Sequence, residues 1–410
     1  MKILVVCQYY YPEPFRIHEV CEELVQRGHE VTVLTGLPNY PMGVIPEEYK
    51  NGQKRDEIVK GVHIIRVNEI PRTKGKVGLA KNYVSFVVSG CIKALTMKKD
   101  FDVIFVYQLS PVLMAIPAYV AKWFSRTQNI ALYCLDLWPE SLSSMGITRD
   151  SIFYKFMKWV SIRIYKGAYS IAYTSRMFKK YFAEELGITD KKFKHIPQFA
   201  DELFSSVSED NTSVSDVIVP IYVNDDEQYV DYVFAGNIGE MQCVDTIIRA
   251  AALVTDDRIR WHIVGDGSKY EECRKLAHDL SVDDKVIFYG RLPVEEMPRF
   301  YKMADAMIVT LADNETISYT LPGKVQSYMA AGKACIAAAA GETKLVIESA
   351  ECGMCALPQN PEDLARVALL MASADTKEYG RRAKQYYDDN YSKKNHIDLI
   401  EKMLLLTSRA

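Results

Sequence analysis

The stretch FAGNIGEMQ, residues 234–242, sets Gly236 and Gly239 around Asn237 directly after an apolar run. Glycines at a strand-to-helix junction let backbone N–H groups close on a phosphate, and the following helix adds the positive end of its dipole. The same residues also make a plain tight turn, and no Lys or Arg stands between Gly236 and Gln242 to complete a phosphate cradle. Two further apolar runs end alike, RWHIVGDG at Gly265 and Gly267 and KVIFYGRL at Gly290. Ligands of open α/β sheets bind beyond the carboxyl ends of the strands. Three glycine-bearing junctions in one half of the chain therefore point to a ligand of nucleotide size. Neither half opens with G-x-G-x-x-G, and G-x-x-x-x-G-K-[ST] is missing. Both gaps speak against nicotinamide-dependent hydride transfer and P-loop ATP hydrolysis. Cys352 and Cys355 form a C-x-x-C pair with no second ligand pair nearby, so they read as buried thiols ahead of a zinc or redox site.

Such junctions need sheets behind them. Lys2–Val6 reads as a strand, followed by a loop rich in Tyr and Pro, a helix over residues 17–27 closed by Gly28, and a second strand in RGHEVTVLTG. This is the βαβ opening of a doubly wound sheet. DVIFVYQ, NIALYCLDLW and SIAYTS continue the strand–helix alternation. SEDNTSVSDVIVP, residues 208–220, reads as a loop. The alternation then restarts with YVDYVFAG, and Val244, Ile247, Ile248 and Ala251 recur at helical spacing. The chain is thus expected to be α/β, with two Rossmann-like doubly wound domains facing a central cleft. Residues 1–195 form the first, 196–385 the second, and 386–410 a C-terminal helix packing back on the first.

The 410 residues are 49% apolar and 25% charged, the balance of an ordinary globular chain with room for two or three cores. The apolar runs fall short of the ~20 residues a membrane-spanning helix needs. The five-residue apolar start is too short for a signal peptide, and an odd count of nine cysteines suits a reducing compartment. A cytoplasmic location is the expectation. The net charge of −3 hides an asymmetry: residues 1–200 hold 28 Lys and Arg against 18 Asp and Glu, while residues 201–410 hold 22 against 35. Two blocks, residues 71–99 and 154–170, interleave basic with aromatic and aliphatic residues in the manner of interfacial helices. Core helices with snorkelling lysines are the other reading. An anionic membrane surface is the expected partner of this half, on the inner face of the plasma membrane; nucleic acid is not.

The ordered set GHEVTVLTGLPNYPMG, CLDLWPESL, FAGNIGEMQ, HIVGDG, YGRLPVEEMPRFYKMADAMIVTL and LPGKVQSYMAAGKACIA resembles the family-4 retaining glycosyltransferases of GT-B fold. The branch it most resembles builds O-antigen and capsular polysaccharide. The likeness covers nearly the whole chain. It implies transfer of a sugar from a nucleoside-diphosphate donor, expected to be a UDP-sugar, to a lipid-diphosphate-linked saccharide, with no metal and no other cofactor. It places the donor on Gly236, Asn237, Gly239, Gln242, Gly265, Gly267, Arg291, Leu292, Pro322, Gly323, Lys324 and Ser327. Asn237 and Gln242 replace an Arg and a Lys of the wider family, so the leaving diphosphate must draw its cation from Lys324 or, second, Arg16. Asp136 is expected to orient the acceptor hydroxyl, with Glu140 as the alternative and Arg16 beside them; the catalytic set is Asp136, Lys324 and Arg16.

Two departures stand out. The family's paired glutamates fall here on Tyr319 and Ser327, leaving Glu342 or Glu348 to supply an acid. PEPFR replaces a glycine-rich first loop. Two other readings fit the same halves: a sugar-nucleotide epimerase of this fold, and a catalytically weak transferase-like partner subunit.

Overall fold

The computed structural model describes residues 1–73, 75–97, 100–123, 129–205 and 229–410. The loop expected at 208–220 lies outside the described residues, as do Lys74, Lys98 and Lys99 of the first basic block. Contacts divide the chain into two units, Met1–Ile196 with Ile397–Ala410, and Pro197–His396.

The first unit runs β1 (Lys2–Val6), α1 (Ile17–Gln26), β2 (Glu30–Thr35), β3 (Asp56–Val59), β4 (Val62–Arg66), α2 (Lys76–Thr96), β5 (Val103–Gln108), α3 (Ile116–Trp123), β6 (Asn129–Cys134), α4 (Ile152–Gly167), β7 (Ser170–Tyr173), α5 (Phe178–Glu184) and β8 (Lys192–His195). Its eight-stranded sheet has the order β3-β4-β2-β1-β5-β6-β7-β8. Every pairing is parallel except β3 with β4. All of β5 is buried, as strands covered by helices on both faces must be. The β3–β4 hairpin has no counterpart in the sequence reading. DEIV is short and charged, Ile58 is 73% exposed at the sheet edge, and the turn rests on Lys60 and Gly61 at positive φ.

Helix α2 is built inside out. Its buried face is Gly78, Asn82, Phe86, Gly90 and Ala94, one residue per turn. A β-carbon on Gly90 would sit 2.8 Å from the Pro117 ring, so glycine there lets α3 approach closely. The Asn82 amide donates to Glu69 at 2.6 Å and to the Ile70 carbonyl at 2.8 Å, while its oxygen accepts from Gln8 and Tyr9. Small and polar residues thus anchor the helix, and the valines point outward.

The second unit runs α6 (Glu202–Ser205), β9 (Val230–Ala235), α7 (Val244–Leu253), β10 (Ile259–Val264), α8 (Tyr270–Asp279), β11 (Val286–Gly290), α9 (Met297–Met303), β12 (Ala306–Thr310), α10 (Glu315–Ser318), α11 (Gly323–Ala330), β13 (Ala334–Ala338), α12 (Gly341–Ser349), β14 (Gly353–Ala356), α13 (Pro361–Ala372) and α14 (Thr376–Asn390), while α15 (Lys393–Ser408) starts here and lies mostly in the first unit. Its six strands are all parallel, in the order β11-β10-β9-β12-β13-β14. One apolar cluster lies on each face of this sheet. The return to the first unit comes at residue 397 rather than 386, because α14 packs on α11 and β13. Beyond it Glu401 takes Arg27 and His29 as partners, and Thr407 takes Ser170.

The architecture is two Rossmann-like α/β units. Strand order reverses beside β1 in the first sheet and beside β9 in the second. Crevices at such switch points are where this architecture holds ligands. Among the described residues no helix is long and apolar enough to cross a membrane.

Candidate functional site

In the second unit the glycine junctions converge. Gly236 leaves β9 at φ 146° and Gly265 leaves β10 at φ 139°, conformations that favour glycine. A β-carbon on Gly265 would lie 1.8 Å from the Gly236 carbonyl oxygen, so no side chain fits. The junctions are laced by backbone bonds, Gly236 N–H to Val264 O at 2.9 Å and Gly265 N–H to Gly290 O at 2.8 Å. Gly267 backs onto Ile238, and Arg291 and Leu292 follow Gly290, Arg291 exposed and Leu292 half-buried.

Lys324 meets this junction from the first turn of α11. Its Nζ lies 3.8 Å over the Phe234 ring centroid, and a β-carbon on Gly236 would stand 2.8 Å from it. The Nζ is buried with no hydrogen-bond partner among the described residues. Burial lowers the amine to about 7. The residue as a whole is half-buried. Pro322 precedes the helix and Gly323 opens it, leaving the first-turn N–H groups without a capping side chain. Tyr328, one turn on, fixes α11 to β9 by donating to the Ala235 carbonyl and accepting from the Ala235 N–H.

The loop after Gly236 carries no cation of its own, and its one acid, Glu240, pairs with Lys269 at 3.1 Å. Asn237 Nδ2 donates to Gln242 Oε1 at 3.0 Å, and Gly239 lies beneath both amides. Ser327 returns its hydroxyl to the Gly323 carbonyl at 3.2 Å. Tyr319 is buried, with its hydroxyl on Glu315 at 3.3 Å. Of the two acids offered by the sequence, Glu348 is corrected: it faces solvent and pairs with Lys344 at 3.7 Å. Glu342 is buried in the first turn of α12, beside Gly341, whose backbone packs on Ser318 next to Tyr319. Among the described residues no three His, Cys, Asp or Glu side chains group as metal ligands. Cys352 and Cys355 are free thiols, and burial pushes Cys355 up to about 12.

In the first unit a cavity of about 390 Å³ opens at the ends of β1, β5 and β6. Asp136 lines it with Ser110, Arg72, Tyr83 and Trp138. Asp136 accepts from both the N–H and the hydroxyl of Ser110, while Trp138 Nε1 donates to that hydroxyl at 2.9 Å. Burial raises the Asp136 carboxyl despite these bonds. One wall is aromatic: Tyr9 stacks on Phe15 at 5.3 Å, and Phe15 meets Tyr40 at 5.1 Å. Arg72 lies 5.7 Å over Tyr40, with no carboxylate partner among the described residues. Glu13 clamps this loop by accepting backbone N–H groups of Tyr10, Asn39 and Tyr40, and burial raises it to about 7.

Glu140 is a correction. The turn after Trp138 carries it inward, where it is 1% exposed and accepts from Tyr154, Tyr181 and Arg149. Those bonds leave it no free edge for an acceptor. Arg16 sits at the start of α1 and pairs with Glu19 at 2.9 Å. The structure thus gathers Gly236, Gly265 and Lys324 in one unit and sets Asp136 in a pocket of the other. The sequence reading did not pick out Arg72, Ser110, Tyr83 or the Tyr9–Phe15–Tyr40 wall. The Tyr- and Pro-rich loops after β1 and β2 are the signal for the wall; Arg72, Ser110 and Tyr83 come from other elements.

Comparison with known proteins agrees with this arrangement. The family profile described as Glycosyltransferase Family 4 matches residues 15–202, and that described as Glycosyl transferases group 1 matches residues 223–386. A Pseudomonas aeruginosa protein named as the glycosyltransferase WbjE is 24% identical over 77% of this chain and 76% of its own. An Escherichia coli protein named as the colanic acid biosynthesis glycosyl transferase WcaI is 23% identical over 93% of this chain and 96% of its own. The crystal structure of Anabaena HepE with UDP-glucose superposes with a TM-score of 0.66 at 14% identity, covering all of both chains, a likeness of fold. With a Family 4 profile on one doubly wound unit and a group 1 profile on the other, the chain belongs to the glycosyltransferases of GT-B fold.

Proposed function

We propose that this protein is a retaining glycosyltransferase of cell-surface polysaccharide synthesis, moving a sugar from a UDP-sugar to a lipid-diphosphate-linked saccharide. One observation carries the reading. An unpartnered buried ammonium, Lys324, faces a glycine junction that leaves room for nothing bulkier than backbone. A cation without a counter-ion in a low-dielectric niche is costly unless a ligand supplies the charge. A departing nucleoside diphosphate supplies it at the moment of reaction, so Lys324 and the first-turn N–H groups of α11 stabilise the leaving group. HepE, solved with UDP-glucose, and WcaI, named for colanic acid, support the donor and pathway class.

With the diphosphate neutralised by protein groups, turnover needs no divalent metal. A donor phosphate oxygen takes the acceptor proton on the face from which the diphosphate leaves, which retains configuration. Asp136, held by Ser110, orients the acceptor hydroxyl, and Arg72 with the aromatic wall receives the saccharide. Arg16, tied to Glu19, helps shape that loop. The exposed basic and aromatic face of α4 meets an anionic bilayer from the cytoplasmic side; Lys155 is exposed there, while Lys158 pairs with Glu185 at 3.7 Å.

The test is a thermal-shift screen of UDP, GDP and CMP, followed by transfer from the matching sugar donors to a lipid-diphosphate saccharide. At ~100 times its Kd a ligand adds about 2.7 kcal/mol of stability. UDP is expected to raise Tm and UDP-sugars to be consumed. A chain stabilised by no nucleoside diphosphate overturns the reading. Binding without transfer favours the partner-subunit alternative, to which the buried, carboxylate-free Tyr319 position lends some weight.

A further inference from the structure

Helix α2 exposes what helices usually bury. Val77, Val84, Val88, Ile92 and Leu95 are 45–69% exposed along one stripe, opposite the anchored Asn82 face. Across from it α4 exposes Phe153 and Phe156, at 51% and 55%. Between the two helices runs a groove of about 1040 Å³. An apolar trough of this kind in water is unfavourable unless something covers it.

The groove is not isolated. Leu79, Tyr83 and Trp138 line both it and the Asp136 cavity, so the two spaces adjoin. Charge is also ordered along it. Lys76 and Lys81 line the end that shares Leu79 and Tyr83, and Arg72 lines the adjoining cavity. From Tyr83 onward the α2 lining is Val84, Ser85, Val88, Ser89 and Ile92, with no charge over roughly 14 Å of helix until a second basic pocket, with Arg55, Arg66 and Lys93, adjoins the far end at Ser89 and Ile92. Read outward from Asp136, the sequence is a polar aromatic pocket, then cations, then hydrocarbon surface. A saccharide joined through a diphosphate to a long hydrocarbon chain has the same order.

We infer that the α2–α4 groove holds the hydrocarbon tail of the acceptor, with Arg72, Lys76 and Lys81 at its diphosphate, so that the protein measures the lipid as well as the sugar. This rests on the acceptor class proposed above. A bilayer or a second copy of the chain could cover the same stripe, but neither accounts for a groove that shares Leu79, Tyr83 and Trp138 with the Asp136 cavity and carries Lys76 and Lys81 at that end.

The test measures binding of farnesyl diphosphate and of dimethylallyl diphosphate, which share a head group, by calorimetry below the detergent-like range and without vesicles. Wild type is expected to bind the longer chain at least about tenfold more tightly, the worth of a few buried methylenes. Val88→Asp and Phe156→Asp should each erase that difference and leave the shorter ligand unaffected. The UDP thermal shift reports that each variant is folded. Equal affinity for both chain lengths in wild type overturns the inference. So does a chain-length preference that survives both substitutions, or a shift from dimer to monomer caused by either one. If UDP fails to bind while the chain-length preference stands, the donor reading fails and the groove assignment does not.

Discussion

The buried amine of Lys324 at the glycine junction makes donor affinity depend on pH in a defined direction. In the empty protein burial holds Lys324 at about 7. A diphosphate against its Nζ supplies the missing counter-charge and returns the amine toward its ordinary value of ~10.4. Only the protonated fraction binds UDP well. That fraction falls from about one half at pH 7 to about 1% at pH 9, so the apparent Kd rises roughly 50-fold, or about 2.3 kcal/mol. The window avoids the ligand's own ionisation, which for a phosphate lies near ~6. Calorimetry at pH 7, 8 and 9 in two buffers of different ionisation enthalpy reads both quantities. Binding at pH 8 should take up nearly one proton, about 0.9, per UDP.

Lys324→Ala should abolish both the slope and the proton uptake, and Lys324→Arg should bind with a flat profile, since a guanidinium stays charged. Stability carries the mirror image. Between about 7 and ~10.4 the unfolded chain holds this proton while the empty fold has lost it, so Lys324 makes the empty protein gain stability as pH rises through that window. Saturating UDP should suppress the gain. A slope that persists in Lys324→Ala refutes the reasoning, because the titrating group is then another residue.

Full transfer activity should survive exhaustive EDTA, and activity restored only by Mg²⁺ or Mn²⁺ would show that the diphosphate is neutralised by metal instead. Asp136→Asn should cut kcat by about 10²–10⁴ on saturating acceptor, with donor Kd unchanged; its raised carboxyl also means that wild-type activity declines on acidification sooner than an ordinary aspartate would allow. Glu140→Gln should leave KM values in place and lower stability by about 1–3 kcal/mol in urea melts, the cost of weakening a buried charged acceptor. A kcat defect without a stability loss would return Glu140 to the acceptor site.

Much of the fold was legible because parallel strands buried on both faces read as unbroken apolar runs. Val103–Gln108 and Ile259–Val264 are buried at every position and stand out without any partner in view. In the β3–β4 pair the edge strand, DEIV, looks like charged loop. At the site, Gly236 and Gly265 were readable because they follow such runs. The reason Gly265 can be nothing else, the carbonyl of Gly236 against it, is a contact between residues twenty-nine apart. Asp136 and Glu140 are four residues apart on one turn, and sequence cannot say which faces the cavity. Three donors, Tyr154, Tyr181 and Arg149, come from distant or later elements and pull Glu140 inward. The aromatic wall escaped notice for the same reason: Tyr9, Phe15 and Tyr40 meet only after β1 and β2 pair.

The cation-free loop after β9 changes how the site handles charge. Asn237 and Gln242 are neutral amides bonded to one another, and the buried cation at the Gly236 junction comes from α11. A pair of exposed cations would stay charged whether or not a donor was present and would hold the spent nucleotide as firmly as the intact one. A buried lysine poised near 7 behaves otherwise: its charge is incomplete until a diphosphate stands against it, and it grows as negative charge accumulates on the leaving oxygens. On the proposed reading the amine takes up its proton when the diphosphate binds and loses it again as the diphosphate departs. On this view the substitution of neutral amides for cations in the loop does not disable the donor site. It moves the charge from a surface that is always ready to a niche that the donor itself charges.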